Sequence, residues 1–313
     1  MAKCLVTGGA GFIGSNLVDE LIRKGDEVVI IDDLSNGKLE YINGKAKFYK
    51  LDVNAKKVAE IFKEEKFDYV FHLAAQIDLR KSVEDPYADN QTNVLGSLHI
   101  FQLAAEAKIK KVIFISTGGA LYGDCAKPAT EETPIKLIAP YAIHKYTAEK
   151  YLDFFNETRN LKSVVLRLAN VYGPRQYKGG ECGVIGVYTY NVAHQERSHL
   201  FGDGSKTRDF VFVDDIVRAI IAAADNEVEG VFNIGSGKEI SIVEVIAAIE
   251  KVTNKKLDYI QAENKLGEVN RSVLSYEKAK KELGWEPIVN LGDGIKKTLE
   301  WLKSNKGNIW KFY

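Results

Sequence analysis

The sequence predicts an α/β fold: a doubly wound parallel sheet, with a smaller substrate-binding region following it. Three observations predict this. Short β-branched runs alternate with amphipathic stretches through the first two-thirds of the chain, a glycine-rich turn joins the first run to the first helical pattern, and the alternation breaks down after Gly173-Pro174. Strands that each hand over to a helix form a parallel sheet covered on both faces, because a crossover between parallel strands needs about a helix's length of chain.

Taken in order, Lys3–Thr7 opens the sheet and the first helix starts at Gly11. Glu27–Asp32, Lys47–Leu51 and Tyr69–Leu73 are the next strands, with a helix near 55–65 between the last two. A helical pattern covers 85–107, a strand Lys111–Ser116, a helix 141–159 and a strand Lys162–Leu168. Beyond this point Gly179, Gly180, Gly183 and Gly186 crowd together, and Phe210–Val213 and Gly230–Ile234 read as further strands. The tail from 275 to 303 reads as helical around a turn at Gly284-Trp285-Glu286-Pro287. The expected division is a Rossmann-like dinucleotide domain at 1–170, to which the chain returns around 208–234, and a substrate-binding region at 171–207 and 235–313.

Composition excludes several classes of function. At 313 residues and 45% hydrophobic content the chain can bury a large core. Lys+Arg and Asp+Glu are equal at 43 each, so no excess charge attracts a polyanion and no nucleic-acid partner is expected. Cys4, Cys125 and Cys182 are far apart, and the five histidines form no metal-binding pattern, so neither disulfide nor metal is expected. A strand pattern by Lys3 leaves no room for a secretory leader, and no apolar run approaches the roughly 18 residues of a span. The chain reads as cytoplasmic, without a membrane partner.

The run Val6-Thr7-Gly8-Gly9-Ala10-Gly11-Phe12-Ile13-Gly14 follows a predicted strand and opens a helix. Glycines at 8, 11 and 14 let backbone approach a pyrophosphate, and the helix turns its unpaired N–H groups toward it. Asp32 ends the next strand, 18 residues after Gly14, where a carboxylate accepts hydrogen bonds from ribose hydroxyls. With Asp33 beside it, a 2′-phosphate would meet like charge, which favours NAD over NADP.

The opening motif resembles that of the extended short-chain dehydrogenase/reductases, the family of nucleotide-sugar epimerases and dehydratases. The likeness runs nearly end to end, through Leu51-Asp52-Val53, His72-Leu73-Ala74-Ala75, Asn93, Arg167-Leu168-Ala169-Asn170-Val171-Tyr172-Gly173-Pro174 and Arg208-Asp209-Phe210-Val211. The resemblance implies NAD as cofactor, with Asp52 and Val53 flanking the adenine and Ala74 and Ala75 leaving it room. Phe12, Ile13, Asn36, Leu73, Asn93 and Ser116 complete the set of expected cofactor neighbours.

The family's chemistry uses Tyr-x-x-x-Lys, a spacing that puts phenol and ammonium one turn apart on one helix face. Tyr141/Lys145 fits, as do Tyr41/Lys45, Tyr146/Lys150 and Tyr276/Lys280. Position selects among them, because ligands lie beyond the carboxyl ends of parallel strands and only a helix's first turn faces that edge. Tyr141 follows Pro140 at the helix start, whereas Tyr146, five residues later, lies roughly 7 Å further away and is expected to pack. Tyr141 is therefore the expected base, helped by Lys145. Relatives carry a Ser or Thr at the position held here by Gly118, so Thr117 is the expected hydroxyl partner, re-aimed by the Gly118-Gly119 loop, with Ser116 in reserve.

The reaction class follows from the same loop. By the resemblance, 4,6-dehydratases carry Asp-Glu after the Thr and related decarboxylases carry a Glu, but here those positions are Gly118 and Gly119. What remains is reversible hydride and proton exchange at one carbon, as in 4-epimerisation of a UDP-hexose. The resemblance further implies that Asn170, Arg208, Glu268 and Lys265 hold the UDP-sugar. Lys265 stands where relatives have Arg, so that contact is expected to be weaker or moved to Arg271. Ser272 occupies a position that in some relatives is a bulky Tyr beside the sugar C2 group, which leaves room for an N-acetyl substituent. The alternatives are a uronic-acid epimerase, a sugar-nucleotide reductase or a non-catalytic NAD-binding scaffold. The resemblance also implies a homodimer through helices 86–107 and 141–159, where Leu95, Leu98, Phe101 and Leu103 fit either an interface or a core.

Overall fold

A computed structural model describes residues 1–176, 182–263 and 269–304. The first part of the chain runs β1 (Lys3–Thr7), α1 (Phe12–Arg23), β2 (Glu27–Asp32), β3 (Lys47–Lys50), α2 (Lys57–Glu65), β4 (Tyr69–His72), α3 (Leu79–Glu84), α4 (Pro86–Asn90), α5 (Ser97–Glu106), β5 (Lys111–Thr117), α6 (Pro140–Arg159) and β6 (Ser163–Leu168). It continues β7 (Asn170–Tyr172), α7 (Val184–His194), β8 (Ser198–Phe201), β9 (Thr207–Arg208), β10 (Phe210–Phe212), α8 (Val213–Asp225), β11 (Gly230–Ile234), β12 (Ile240–Ser241), α9 (Ile242–Thr253), β13 (Tyr259–Ala262), β14 (Arg271–Ser272) and α10 (Leu291–Lys303).

Seven strands form one parallel sheet in the order β11-β6-β5-β4-β1-β2-β3. Its central strands are buried on both faces, and each face carries its own core. On one side Leu17, Val18 and Leu21 of α1 meet Ile216 and Ile220 of α8 over Val6, Ile30 and Ile113. On the other, Phe62, Phe101, Leu152 and Phe155 cover Leu5, Val70, Val112 and Phe114. Each such side chain contributes about 1.5–3 kcal/mol of burial, enough to fix the register of every strand. The strand order reverses at β1 and β4, so the crevice at their carboxyl ends is where a ligand binds.

A third core holds the remainder together, with Tyr172, Phe210, Phe212, Ile246, Ile249 and Ile295 at its centre. Phe12 and Ile13 pack against it. The start of α1 is thus clamped between the sheet and the second region.

Several expected elements differ in detail. The single helix expected over 85–107 is α4, a π segment (Gln91–Gly96) and α5, preceded by the unexpected α3. Within it the stripe of leucines divides: Phe101 and Leu103 are core, whereas Leu95 is 40% exposed. Phe210–Phe212 does not join the large sheet, because its neighbour Asp209 accepts through its carbonyl the Asn170 N–H and sets β10 beside β7. The tail is a π turn at Ala279–Leu283, stopped by Gly284 in the left-handed region, followed by α10. Among the described residues no helix is long and apolar enough to cross a membrane.

Candidate active site

The turn between β1 and α1 is built from backbone. Gly8 has φ +72°, and a Cβ there would lie 2.7 Å from Ala74 N. At Gly14 a Cβ would lie 2.1 Å from Gly8 O, so neither position admits a side chain. Gly11 closes the turn by donating its N–H to Gly8 O, and it starts α1 with no side-chain cap. The first N–H groups of that helix, at Phe12, Ile13 and Gly14, therefore belong to a cradle suited to a pyrophosphate.

Asp32 ends β2 and braces this cradle, accepting the N–H of Ala10 at 3.0 Å and of Leu34 at 2.8 Å. Burial pushes its carboxyl above the usual range, opposed by those two N–H groups. Asp33 accepts the N–H and hydroxyl of Ser35, on the loop that carries Asn36. Asp52 is exposed and accepts the Asn54 N–H, while Val53 is buried and its carbonyl accepts from His99 Nδ1. Leu73, Ala74 and Ala75 are half-buried at the exit of β4, against Gly8.

A buried chain of hydrogen bonds fixes these strand ends. Ser97 donates its hydroxyl to Asn93 O, so His72 Nε2 must donate to Ser97 Oγ and His72 Nδ1 must accept from Thr7. Thr7 in turn accepts the Ala74 N–H. Burial and the Lys145 charge hold His72 neutral, down to about 3. Asn93 is fully buried, its amide spent on the backbone of Gln76 and on Asp89, so here it shapes the loop after β4 from behind.

The expected catalytic pair sits at the start of α6. Pro140 is the first residue of α6, Tyr141 lies in the first turn half-buried, and Lys145 follows one turn later at 2% exposure. Its Nζ stands 4.1 Å over the Phe114 ring. Burial lowers the ammonium to about 7, against the upward pull of Glu149 and Asp89. Tyr146 packs instead, with Lys150 Nζ 5.1 Å and the Arg167 guanidinium 6.0 Å from its ring.

Ser116 is occupied. It is buried and donates to Glu149, which also forms a two-toothed ion pair with Arg167 at 2.6–3.2 Å. Thr117 continues β5 straight, in register with Leu168, and its side chain alternates to the other face. Gly118 has a different explanation: a Cβ there would lie 2.5 Å from Leu274 Cδ1. Leu274 is buried, its N–H held by the Asp209 carboxylate, which also binds the N–H and hydroxyl of Ser236 and the N–H of Gly237. Gly119 has room for a methyl, since a Cβ there would meet Asn170 Oδ1 at 3.4 Å and Ser272 Oγ at 4.0 Å, both ordinary contacts.

Of the expected substrate residues, Asn170 and Ser272 lie beside Gly119, and Arg208 and Arg271 lie on paired strands. β14 pairs with β9, setting Ser272 opposite Arg208 and Arg271 opposite Thr207. Arg208 donates to the Thr207 carbonyl at 2.8 Å. Arg271 is held by Glu239 and by the Cys125 carbonyl, so its guanidinium already has protein partners. Lys265 and Glu268 lie outside the described residues. Sequence reasoning gave no role to Asp89, Glu149, Asp209 or Leu274, although Asp209 stands in the run Arg208-Asp209-Phe210-Val211. Asp209 alone left a signal, an acid adjoining the apolar run Phe210–Val213.

A parallel sheet whose central strands end in a backbone cradle, with a phenol and a buried ammonium at the same edge, defines a nucleotide-cofactor enzyme of the short-chain dehydrogenase type. A sequence model of the NAD dependent epimerase/dehydratase family matches residues 4–235, and the chain belongs to that family. It is 39% identical over 309 residues to a UDP-glucose 4-epimerase of Mycolicibacterium smegmatis, covering 96% of this chain and 99% of that one. Among solved structures, the UDP-glucose 4-epimerase of Thermotoga maritima with UDP-glucose is 43% identical, with TM-score 0.94 over 96% of this chain and 98% of that one. That of Thermus thermophilus in complex with NAD is 36% identical, with TM-score 0.92 over 97% and 99%. NAD is the cofactor of this family, and the cradle that a Cβ at Gly8 or Gly14 would fill fits it.

Proposed function

We propose that the chain interconverts the C4 epimers of a UDP-hexose. The observation that carries this reading is the loop after Thr117. Gly118 is roofed by Leu274 and Gly119 is bare, so the positions from which dehydratases present acids hold none, while Tyr141 and Lys145 stand one turn apart at the same edge. A phenol that gives and takes one proton suffices for epimerisation and for neither competing reaction.

When bound, NAD supplies the acceptor that takes a hydride from one carbon and returns it. Tyr141 removes the C4 hydroxyl proton, with the Thr117 hydroxyl bridging, and the Lys145 ammonium stabilises the phenolate. A free phenol titrates near 10, so a base at neutral pH needs roughly 4 kcal/mol of preferential stabilisation, which a positive charge in a water-poor cleft can supply. The 4-keto sugar then presents its other face, and Tyr141 returns the proton. No net redox change results. Arg208 faces the phosphates, with Arg271 opposite the neighbouring residue of the paired strand, and Asn170 with Ser272 borders the sugar.

The test is conversion of UDP-glucose to UDP-galactose by purified protein without added reductant. Tyr141→Phe is expected to lower kcat on the order of a thousandfold while bound NAD, read by absorbance, is retained. Full activity in that variant would remove the assignment.

The gap between Gly119 and Ser272 supports acceptance of UDP-N-acetyl sugars as well, measured by competition between the two substrate types. A homodimer is the further reading. Val83, Tyr87, Leu95, Ile143 and Phe154 are 64, 85, 40, 44 and 52% exposed on α3, α4, the π segment and α6, which pack side by side. Sedimentation giving the 34.9 kDa monomer would sink it.

A further inference from the structure

A row of polar side chains crosses the sheet on the face that α6 covers. Ser116 of β5, Arg167 of β6 and Asn233 of β11 are in register with one another, so their side chains share that face. Two residues earlier on the same strands stand Phe114, Val165 and Val231, which belong to the apolar core beneath α6. All three polar residues are buried, Asn233 completely. Burying a guanidinium carries a desolvation cost that an apolar side chain avoids, so stability alone does not account for the row.

Arg167 is the centre of the row, and its donors divide in two directions. Toward α6, Nη2 donates to Glu149 Oε2 at 2.6 Å and Nε reaches the two carboxylate oxygens at 3.1 and 3.2 Å. Ser116 donates to the same carboxylate. Glu149 lies one turn beyond Lys145 and two beyond Tyr141, on the same face of the helix. In the other direction Nη1 donates to the Tyr122 hydroxyl at 2.7 Å, which donates to Asn233 Oδ1 at 2.8 Å. Asn233 Nδ2 donates to Ala129 O at 2.9 Å, and Ala129 is bridged to Leu274, the residue that roofs Gly118. Tyr122 and Ala129 belong to the loop that leaves β5 through Gly118 and Gly119.

We propose that Arg167 is a positioning residue for catalysis: its guanidinium, forked to Glu149 on one side and bonded to Tyr122 on the other, holds the helix that carries Tyr141 and Lys145 in a fixed place relative to the loop after β5. This rests on the reading of Tyr141 and Lys145 as the catalytic pair. An apolar side chain at 167 would fill the same space but would let α6 turn or slide, because hydrophobic contact is non-directional. A forked pair of hydrogen bonds fixes direction as well as distance.

The test separates stability from turnover in the NAD-loaded protein. Glu149→Leu alone strands a buried guanidinium and should lower both the thermal midpoint and kcat. Glu149→Leu combined with Arg167→Met replaces both charges by apolar groups, so the midpoint should return to that of the parent. Turnover should not return with it. In the double variant kcat for UDP-glucose is expected to stay down on the order of a hundredfold, the loss that a displacement of about 1 Å at the reacting atoms produces, while absorbance shows NAD retained. Its crystal structure should show the Tyr141 hydroxyl moved by a comparable distance relative to β5. A kcat that recovers together with stability, or a Tyr141 left in place, overturns the proposal. Should the double variant not fold, Tyr122→Phe decides, because it keeps both charges and cuts only the arm to the loop. There kcat/KM should fall about threefold or more, the worth of one hydrogen bond, and a value equal to the parent's overturns the proposal. A displaced Tyr141 in a protein whose parent leaves UDP-glucose untouched would sink the substrate reading and leave this one standing.

Discussion

Two glycine turns leave the same edge of the sheet, one after β1 and one after β5, and they are glycine for different reasons. At Gly8 and Gly14 the space a side chain would need is filled by backbone: Ala74 N at 2.7 Å in one case and Gly8 O at 2.1 Å in the other. At Gly118 it is filled by the end of one side chain, Leu274 Cδ1 at 2.5 Å, and at Gly119 a methyl would make only ordinary contacts. The first turn is a constraint of the chain on itself, while the second is an agreement between two distant residues. A backbone constraint leaves no alternative residue, whereas a side-chain constraint can be renegotiated by changing the other partner.

The largest effect follows from the first turn. Gly14→Ala drives a methyl into a carbonyl that has nowhere to go, because Gly8 is itself pinned against the β4 exit. The variant should lose bound NAD by at least about a hundredfold and more than about 3 kcal/mol of stability, read as the absorbance ratio of purified protein and its thermal unfolding. Retention of full NAD would show that the cradle yields, and the contrast between the turns would collapse.

Gly118→Ser should cost about 1–3 kcal/mol, the ordinary price of overpacking. Leu274→Ala should cost about 2–5 kcal/mol alone. Combined, the two should cost less than their sum by about 1 kcal/mol or more, since the new side chain enters the space that Leu274 vacates. Strict additivity in denaturant unfolding would mean that Leu274 is not what keeps residue 118 a glycine.

The same distinction governs what was legible in the sequence. The glycines of the first turn, Asp32 and the strand-helix alternation state local requirements that residue type and spacing encode. Tyr141 was separable from three other matching pairs by its place at a helix start, which is also local. Leu274 lies more than 150 residues from Gly118, and only the fold brings them together. Asp89 looks like any acid on an amphipathic helix, and Glu149 likewise. Their burial depends on the π segment and on Arg167, neither of which leaves a periodic signal. Leu95 and Phe101 are alike in sequence, yet one faces out and the other is core, because the π segment offsets the faces before and after it.

Gly119→Ala probes the weakest of these constraints. Gly119 has no left-handed φ, and an added methyl meets Asn170 Oδ1 at 3.4 Å and Ser272 Oγ at 4.0 Å, which is ordinary contact. Stability should therefore change by no more than about 0.5 kcal/mol. The methyl would nonetheless occupy the gap between the two residues proposed to border the sugar, and one methyl in a pocket changes discrimination by roughly tenfold. The effect should fall on the bulkier substrate: KM for a UDP-N-acetyl sugar should rise up to about tenfold relative to UDP-glucose, with kcat for UDP-glucose nearly unchanged. An equal rise for both substrates would place the gap away from the C2 substituent. A stability loss as large as that of Gly118→Ser would show that both glycines after β5 are held by packing, so that the open space belongs to neither substrate.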